Sequence, residues 1–153
     1  MAMNINWYPG HMKKTKEDIT NNLKLVDIVL EIIDARIPDS SRNPMLNEII
    51  ADKPRMIIMN KADLADKDIN RRWIAKFKEE NIAAITMNSK EKINVSRIYE
   101  IAKLELADKF IRNEEKNIKN PVIRMMIVGI PNAGKSTFIN NIAKRKSANV
   151  GNR

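Results

Sequence analysis

A chain of 153 residues, 43% hydrophobic and 31% charged, can bury the core of one α/β domain and has neither a disordered nor a fibrous composition. Its net charge of +9 suits a polyanionic partner, RNA or DNA above all, or a lysine-rich surface kept for solubility; at 5% aromatic residues it does not suit a stacking platform for single-stranded bases. The lack of cysteine excludes disulfides and thiol chemistry and fits a reducing compartment, the single histidine excludes a histidine-rich metal site, and no uncharged apolar run is long enough for a membrane span.

Residues 1–10 carry no periodic pattern; Trp7-Tyr8-Pro9-Gly10 reads as an extended segment ending in a turn, and the first eight residues are not a secretory signal. A helix is predicted over 11–25, with Ile19, Leu23 and Val26 at apolar spacing. Residues 27–34 form a short apolar run suited to a buried strand, and 34–44 a polar loop punctuated by prolines. A short helix over 44–51 would take Pro44 in its first turn. The next strand spans 54–59. A charged amphipathic helix follows over 66–81, with Ile69, Trp73, Ile74 and Phe77 as its apolar stripe. Residues 82–86 read as a strand and 94–117 as a long helix burying Ile98, Ile101, Ala102, Leu104, Leu106 and Phe110. Residues 122–128 are a last apolar strand, and 138–143 suit the first turns of a helix. Strands alternating with helices predict an α/β fold: three layers, a mostly parallel sheet with helices on both faces. Ligands in such sheets bind at the carboxyl ends of the strands.

Gly129-Ile130-Pro131-Asn132-Ala133-Gly134-Lys135-Ser136-Thr137 reads G-x-x-x-x-G-K-S, a phosphate-binding loop, in the strand–loop–helix setting the motif requires. Gly129 and Gly134 let the backbone approach phosphate, and the amides from Asn132 to Thr137 would face the anion. Lys135 would reach the β/γ-phosphates and the Ser136 hydroxyl would bind Mg²⁺. Asn60-Lys61-Ala62-Asp63 reads N-K-x-D. The Asp63 carboxylate can accept two parallel hydrogen bonds from guanine N1–H and N2–H₂, a pair that adenine lacks. Asn60 can tie this loop to the phosphate loop, and the Lys61 stem can cover the base. Asn88-Ser89-Lys90 follows the 82–86 strand. It either places the Ser89 amide near guanine O6 or is a simple loop. All three motifs follow strands and so are expected to converge on one crevice. A kinase or ATPase reading is disfavoured by N-K-x-D.

Ordinary GTPases carry the phosphate loop first; here Asn60–Asp63 and Asn88–Lys90 precede Gly129–Thr137. With this order, and with Trp7-Tyr8-Pro9-Gly10-His11-Met12-x-Lys14, Asp34-Ala35-Arg36-Ile37-Pro38 and Arg42-Asn43-Pro44, the chain resembles the circularly permuted P-loop GTPases that act in late assembly of the large (50S) ribosomal subunit. The resemblance runs from Trp7 to Arg153. It implies a cytoplasmic GTP hydrolase that binds GTP/GDP with Mg²⁺, has the large subunit and its rRNA as partners, and has no membrane partner; a monomer is expected.

The family's N-terminal histidine, proposed to assist hydrolysis, can only be His11; otherwise His11 is a solvent-exposed or RNA-contacting residue. Asn132 matches a K⁺-ligating asparagine of potassium-stimulated relatives, or it shapes the loop. Trp7 is expected to be a packing anchor, while Arg36 and Arg42 either contact rRNA phosphate or brace their loop. The resemblance also implies that residues 1–153 are the N-terminal part of a permuted GTPase domain, with the switch segments and a C-terminal helical domain outside this sequence. The 122–128 strand would then lie at a sheet edge. The chain alone would bind guanine nucleotide weakly and hydrolyse it slowly, or act as an rRNA-binding module with a vestigial site.

Overall fold

The computed structural model describes residues 3–7, 12–39, 44–50, 53–88, 95–107, 122–129 and 138–140. Five strands form its centre: β1 (Met3–Trp7), β2 (Ile28–Asp34), β3 (Arg55–Asn60), β4 (Ala83–Thr86) and β5 (Ile123–Gly129). They lie in the order β1-β5-β2-β3-β4, and every neighbouring pair is parallel. Parallel strands need crossover connections, which α1 (Met12–Asn22), α2 (Pro44–Ile50), α3 (Lys67–Glu79) and α4 (Val95–Glu105) supply.

β2 is buried at every position, as a central strand covered on both faces must be. Its alternate residues divide between the two faces. Ile28, Leu30 and Ile32 join Met56, Ile58, Met125 and Ile127 against Ile98 and Ala102 of α4, Leu106 just past its end, and Phe138. On the other face, Val29, Met126 and Val128 pack on Ile19 of α1 and Ile50 of α2, while Ile33, Ile57 and Met59 pack on Phe77 of α3. Helices thus cover both faces, in the three layers the alternation predicts.

Local chemistry sets the ends of α3. The Asp66 carboxylate accepts hydrogen bonds from the amides of Asp68 (2.8 Å) and Ile69 (3.2 Å), capping its N-terminus. At the other end Asn81 adopts φ 62, a left-handed conformation that asparagine tolerates, and its amide and that of Ile82 bond back to Lys78 and Phe77. Lys76 and Lys78 complement the helix C-terminus.

Four expectations need correction. First, residues 3–7 are a strand. Second, because β1 pairs with β5 from Met3↔Ile123 to Trp7↔Ile127, β5 lies inside the sheet, and among the described residues β1 and β4 are the outer strands. Third, α3 buries Asn70, Phe77 and part of Trp73 and Ile74, whereas Ile69 is 48% exposed. Asn70 Nδ2 donates to the Ala62 carbonyl (3.4 Å), so the inward place beside Ile69 is taken by a polar side chain. Fourth, Leu104 is 75% exposed, because α4 seats on Ile98, Ala102 and Leu106 and position 104 falls on the opposite side. Phe110 and residues 108–117 of the predicted long helix lie outside the described residues.

The connections also fix where a crevice opens. The chain leaves β2 and β3 through α2 and α3 on one face, but reaches β5 through α4 and leaves it toward Phe138 on the other. The carboxyl ends of β5 and β2 therefore flank a topological switch point, the place where open α/β sheets bind ligands.

Candidate functional site

The carboxyl tips of β2 and β3 end in step, with Asp34 paired to Asn60. The Ala35 amide donates to the Asn60 carbonyl at 2.8 Å. Asn60 is 1% exposed and so sits within the sheet tip rather than in solvent. Lys61 then reverses the chain with φ 59 and ψ 32, and residues Ala62–Leu64 form a short 3-10 turn closed by hydrogen bonds from Leu64 to Lys61 and from Ala65 to Ala62. Asp63 lies exposed in that turn, where its carboxylate is open to a ligand.

Two backbone bonds join this turn to the end of β4. The Met87 amide donates to Met59 (2.8 Å) and the Ala62 amide donates to Met87 (3.1 Å). N-K-x-D and Asn88 are thereby brought to adjacent tips. Ser89 and Lys90 lie outside the described residues.

The Asp34 side chain is bonded on both of its oxygens. It accepts from the Arg36 backbone amide (2.9 Å to Oδ1), from Arg36 Nε (3.0 Å to Oδ1) and from Arg36 Nη2 (2.7 Å to Oδ2). Lys61 Nζ stands 3.6 Å from the same Oδ2. The Arg36 side chain holds the Asp34 carboxyl below the usual carboxylate range; burial opposes this, and the Arg36 amide and the charges of Arg36 and Lys61 add to it. The carboxylate in turn raises the Arg36 guanidinium pKa. Of the two roles open to Arg36, the geometry is that of a brace.

Across β2, Ile32 pairs with Gly129, the last residue of β5 and the first of the phosphate-loop sequence. The loop that follows, with Asn132, Ala133, Gly134, Lys135, Ser136 and Thr137, lies outside the described residues, as do His11 and Arg42. The chain is helical again at 138–140, where Phe138 is buried on the α4 face. Among the described residues no cluster of three or more acidic, histidine or cysteine side chains could hold a metal ion, and no helix is long and apolar enough to cross a membrane.

Sequence reasoning missed Asp34 as a site residue. Its signal was available, since like Asn60 it is a polar residue that ends an apolar strand. The contact with Lys61, 27 positions away in the chain, was not readable.

Comparison with known proteins bears on this geometry. Residues 124–153 match the family model described as 50S ribosome-binding GTPase. Ribosome biogenesis GTPase A of Bacillus cereus is 47% identical over 151 residues, which are 99% of this chain and 51% of that protein. The mouse mitochondrial ribosome-associated GTPase 1 is 33% identical over 153 aligned positions, covering 95% of this chain and 45% of its own. GNP-bound YlqF from T. maritima superposes with a TM-score of 0.59 at 29% identity, over 84% of this chain and 47% of that one. The chain spans about half the length of the curated relatives it matches.

A parallel sheet with a phosphate-loop sequence leaving one strand tip and N-K-x-D leaving another, helices packed on both faces, is the P-loop GTPase fold. The motifs here run in permuted order. In its motif order the chain resembles the circularly permuted P-loop GTPases, and over nearly its whole length it is similar to ribosome biogenesis GTPase A.

Proposed function

We propose that this chain binds guanine nucleotide at the carboxyl ends of β5, β2, β3 and β4 and, as the N-terminal part of a permuted GTPase domain, serves GTP hydrolysis coupled to late assembly of the large ribosomal subunit. The observation that carries this reading is the joining of the N-K-x-D turn to the end of β4 through Met59, Ala62 and Met87, beside a buried Asn60. That arrangement gives a base-recognition loop a rigid seat across β2 from the phosphate-loop strand.

Asp63 would accept from guanine N1–H and N2–H₂, Lys61 would cover the base, and Asn60 would tie the two loops. Asn88, Ser89 and Lys90 would close the O6 side. The amides from Asn132 to Thr137 and the Lys135 ammonium would hold the phosphates. One serine hydroxyl together with phosphate oxygens is an oxygen donor set suited to Mg²⁺, so Ser136 would hold that ion, and Asn132 would take a K⁺ beside the phosphates. Bound there, the cations would neutralise charge developing on the phosphoryl group. His11 would orient the attacking water. The excess of basic residues suits an rRNA partner in the cytoplasm, met by a monomer. The names of the relatives, ribosome biogenesis GTPase A and mitochondrial ribosome-associated GTPase 1, support the ribosomal partner.

Titration calorimetry with GTP, GDP and ATP, with and without K⁺, tests the site on the parent chain and on Asp63→Asn. Guanine-selective binding that the variant loses is the expected result. Equal affinity for ATP and GTP, or no binding of either, would sink the reading.

A further inference from the structure

Asp34 stands at the tip of β2, the strand between the one that leads into the phosphate loop and the one that carries N-K-x-D. Its side chain is only 6% exposed, yet it is a carboxylate. A buried carboxylate persists only when its lone pairs are used. Arg36 uses them from one side with a two-pronged contact and its backbone amide. That alone balances the charge. Lys61, approaching from β3, is a second cation on the same carboxylate. Arg36 is 47% exposed at its side chain and Lys61 only 23%. The more exposed Arg36 and the less exposed Lys61 thus meet at the same Oδ2, at 2.7 Å and 3.6 Å.

Lys61 has reason to need such an anchor. Its backbone is left-handed, a conformation disfavoured for a residue with a Cβ, and its side chain has the largest rotamer freedom of the N-K-x-D turn. A stem that must lie flat against a base loses that freedom on binding unless something orders it beforehand.

We propose that Asp34, braced by Arg36, is a positioning residue for the guanine loop: it holds the Lys61 ammonium so that the alkyl stem is already laid out where the face of the purine comes to rest. The assignment rests on the guanine-nucleotide reading of the site. It divides the labour of base binding. Asp63 reads the edge of the base and sets which base is bound, whereas Asp34 acts through Lys61 on the face and sets how tightly any purine is held.

Calorimetric titration of GDP and inosine diphosphate into the full chain and into Asp34→Asn, Lys61→Met and the double variant tests this. Methionine keeps an unbranched stem without the ammonium. Asp34→Asn is expected to weaken both nucleotides by the same factor, about three- to ten-fold, the scale of one side chain ordered in advance. In the Lys61→Met background the same substitution should change affinity less than about two-fold. Arg36→Gln, at the exposed end of the brace, should give a smaller loss in the same direction that also vanishes with Lys61→Met, and it carries the test if Asp34→Asn does not fold. An equal loss in both Lys61 backgrounds, no loss in either, or a changed ratio of GDP to inosine diphosphate affinity overturns the assignment alone. No binding of either nucleotide by the parent chain overturns the guanine reading and the assignment with it.

Discussion

A Cβ placed on Gly129 would lie 2.9 Å from the carbonyl oxygen of Ile32, closer than real side chains approach a backbone oxygen. The two residues are paired in the β5–β2 ladder, and every residue of β2 is buried. The first glycine of the phosphate-loop sequence therefore serves the sheet before it serves any phosphate. Gly129→Ala is expected to lower the unfolding free energy by about 1–3 kcal/mol, the cost of overpacking a filled interior. The obstacle is backbone, so no side chain can swing away to relieve it. Urea denaturation should show a lower midpoint with an unchanged slope; an unshifted midpoint would mean that the strands separate at no cost.

Acid should act on Asp34. Its carboxyl titrates below the usual range in the folded state, chiefly because Arg36 bonds to its ionised form. A lowered folded-state pKa contributes stability that is present above the unfolded-state value, about pH 4, and is lost as pH falls from there through the folded-state value. Thermal melts of the parent chain should lose stability below pH 4 more steeply than those of Asp34→Asn. Parallel curves for the two proteins between pH 5 and pH 2 would contradict that.

The Asp66 cap offers a milder perturbation close to the same loop. Its carboxylate serves two otherwise unpaired amides of α3, and its own carbonyl accepts from the Asn70 amide at 2.9 Å. Asp66→Ala should cost about 0.5–2 kcal/mol, and Asp66→Asn less, since asparagine caps nearly as well. Chemical denaturation of both variants measures the difference, and equal losses would argue against a capping role.

Burial separates two positions that look alike in a hydropathy profile. Phe77 is fully buried against Ile33, Ile57 and Met59, and Phe77→Ala should cost about 3–5 kcal/mol. Leu104 stands in solvent, and Leu104→Ala should fall within about 0.5 kcal/mol of the parent. A large loss at Leu104, measured in the same unfolding experiment, would mean that α4 is rotated from the face seen here.

Much of the architecture is legible in local pattern. The apolar run at 28–34 has no polar alternation because both its faces are covered. Asp66 followed by an amphipathic stretch announces the start of α3. Asn60 and Asp63 stand out because a polar tetrapeptide directly after an apolar strand falls at a strand tip. The strand at 3–7 escaped notice although Met3-Asn4-Ile5-Asn6-Trp7 alternates, because five residues are a short sample of a period of two. Ile69 was misplaced for a different reason. Hydrophobicity alone favours it for the core, but the inward position is held by Asn70, whose Nδ2 meets the Ala62 carbonyl of another element.

What the sequence determined by itself is the set of elements from α1 onward, their alternation, the chemistry of the three motifs and their permuted order. These depend on which residue types stand a few positions apart, and backbone propensity, side-chain period and hydrogen-bonding capacity act at that range. Tertiary structure alone decided that β1 lies beside β5 and removes the expected edge there. It also decided that Gly129 must clear the Ile32 carbonyl, and that Asp34 faces Arg36 and Lys61 together. Those facts join residues from 2 to 120 positions apart, as far as Met3 and Ile123, and even the nearest pair, Asp34 and Arg36, takes its meaning from a lysine just past the end of the next strand. A one-dimensional pattern records what each segment must bury; only the assembled sheet sets which buried or charged group waits on the other side.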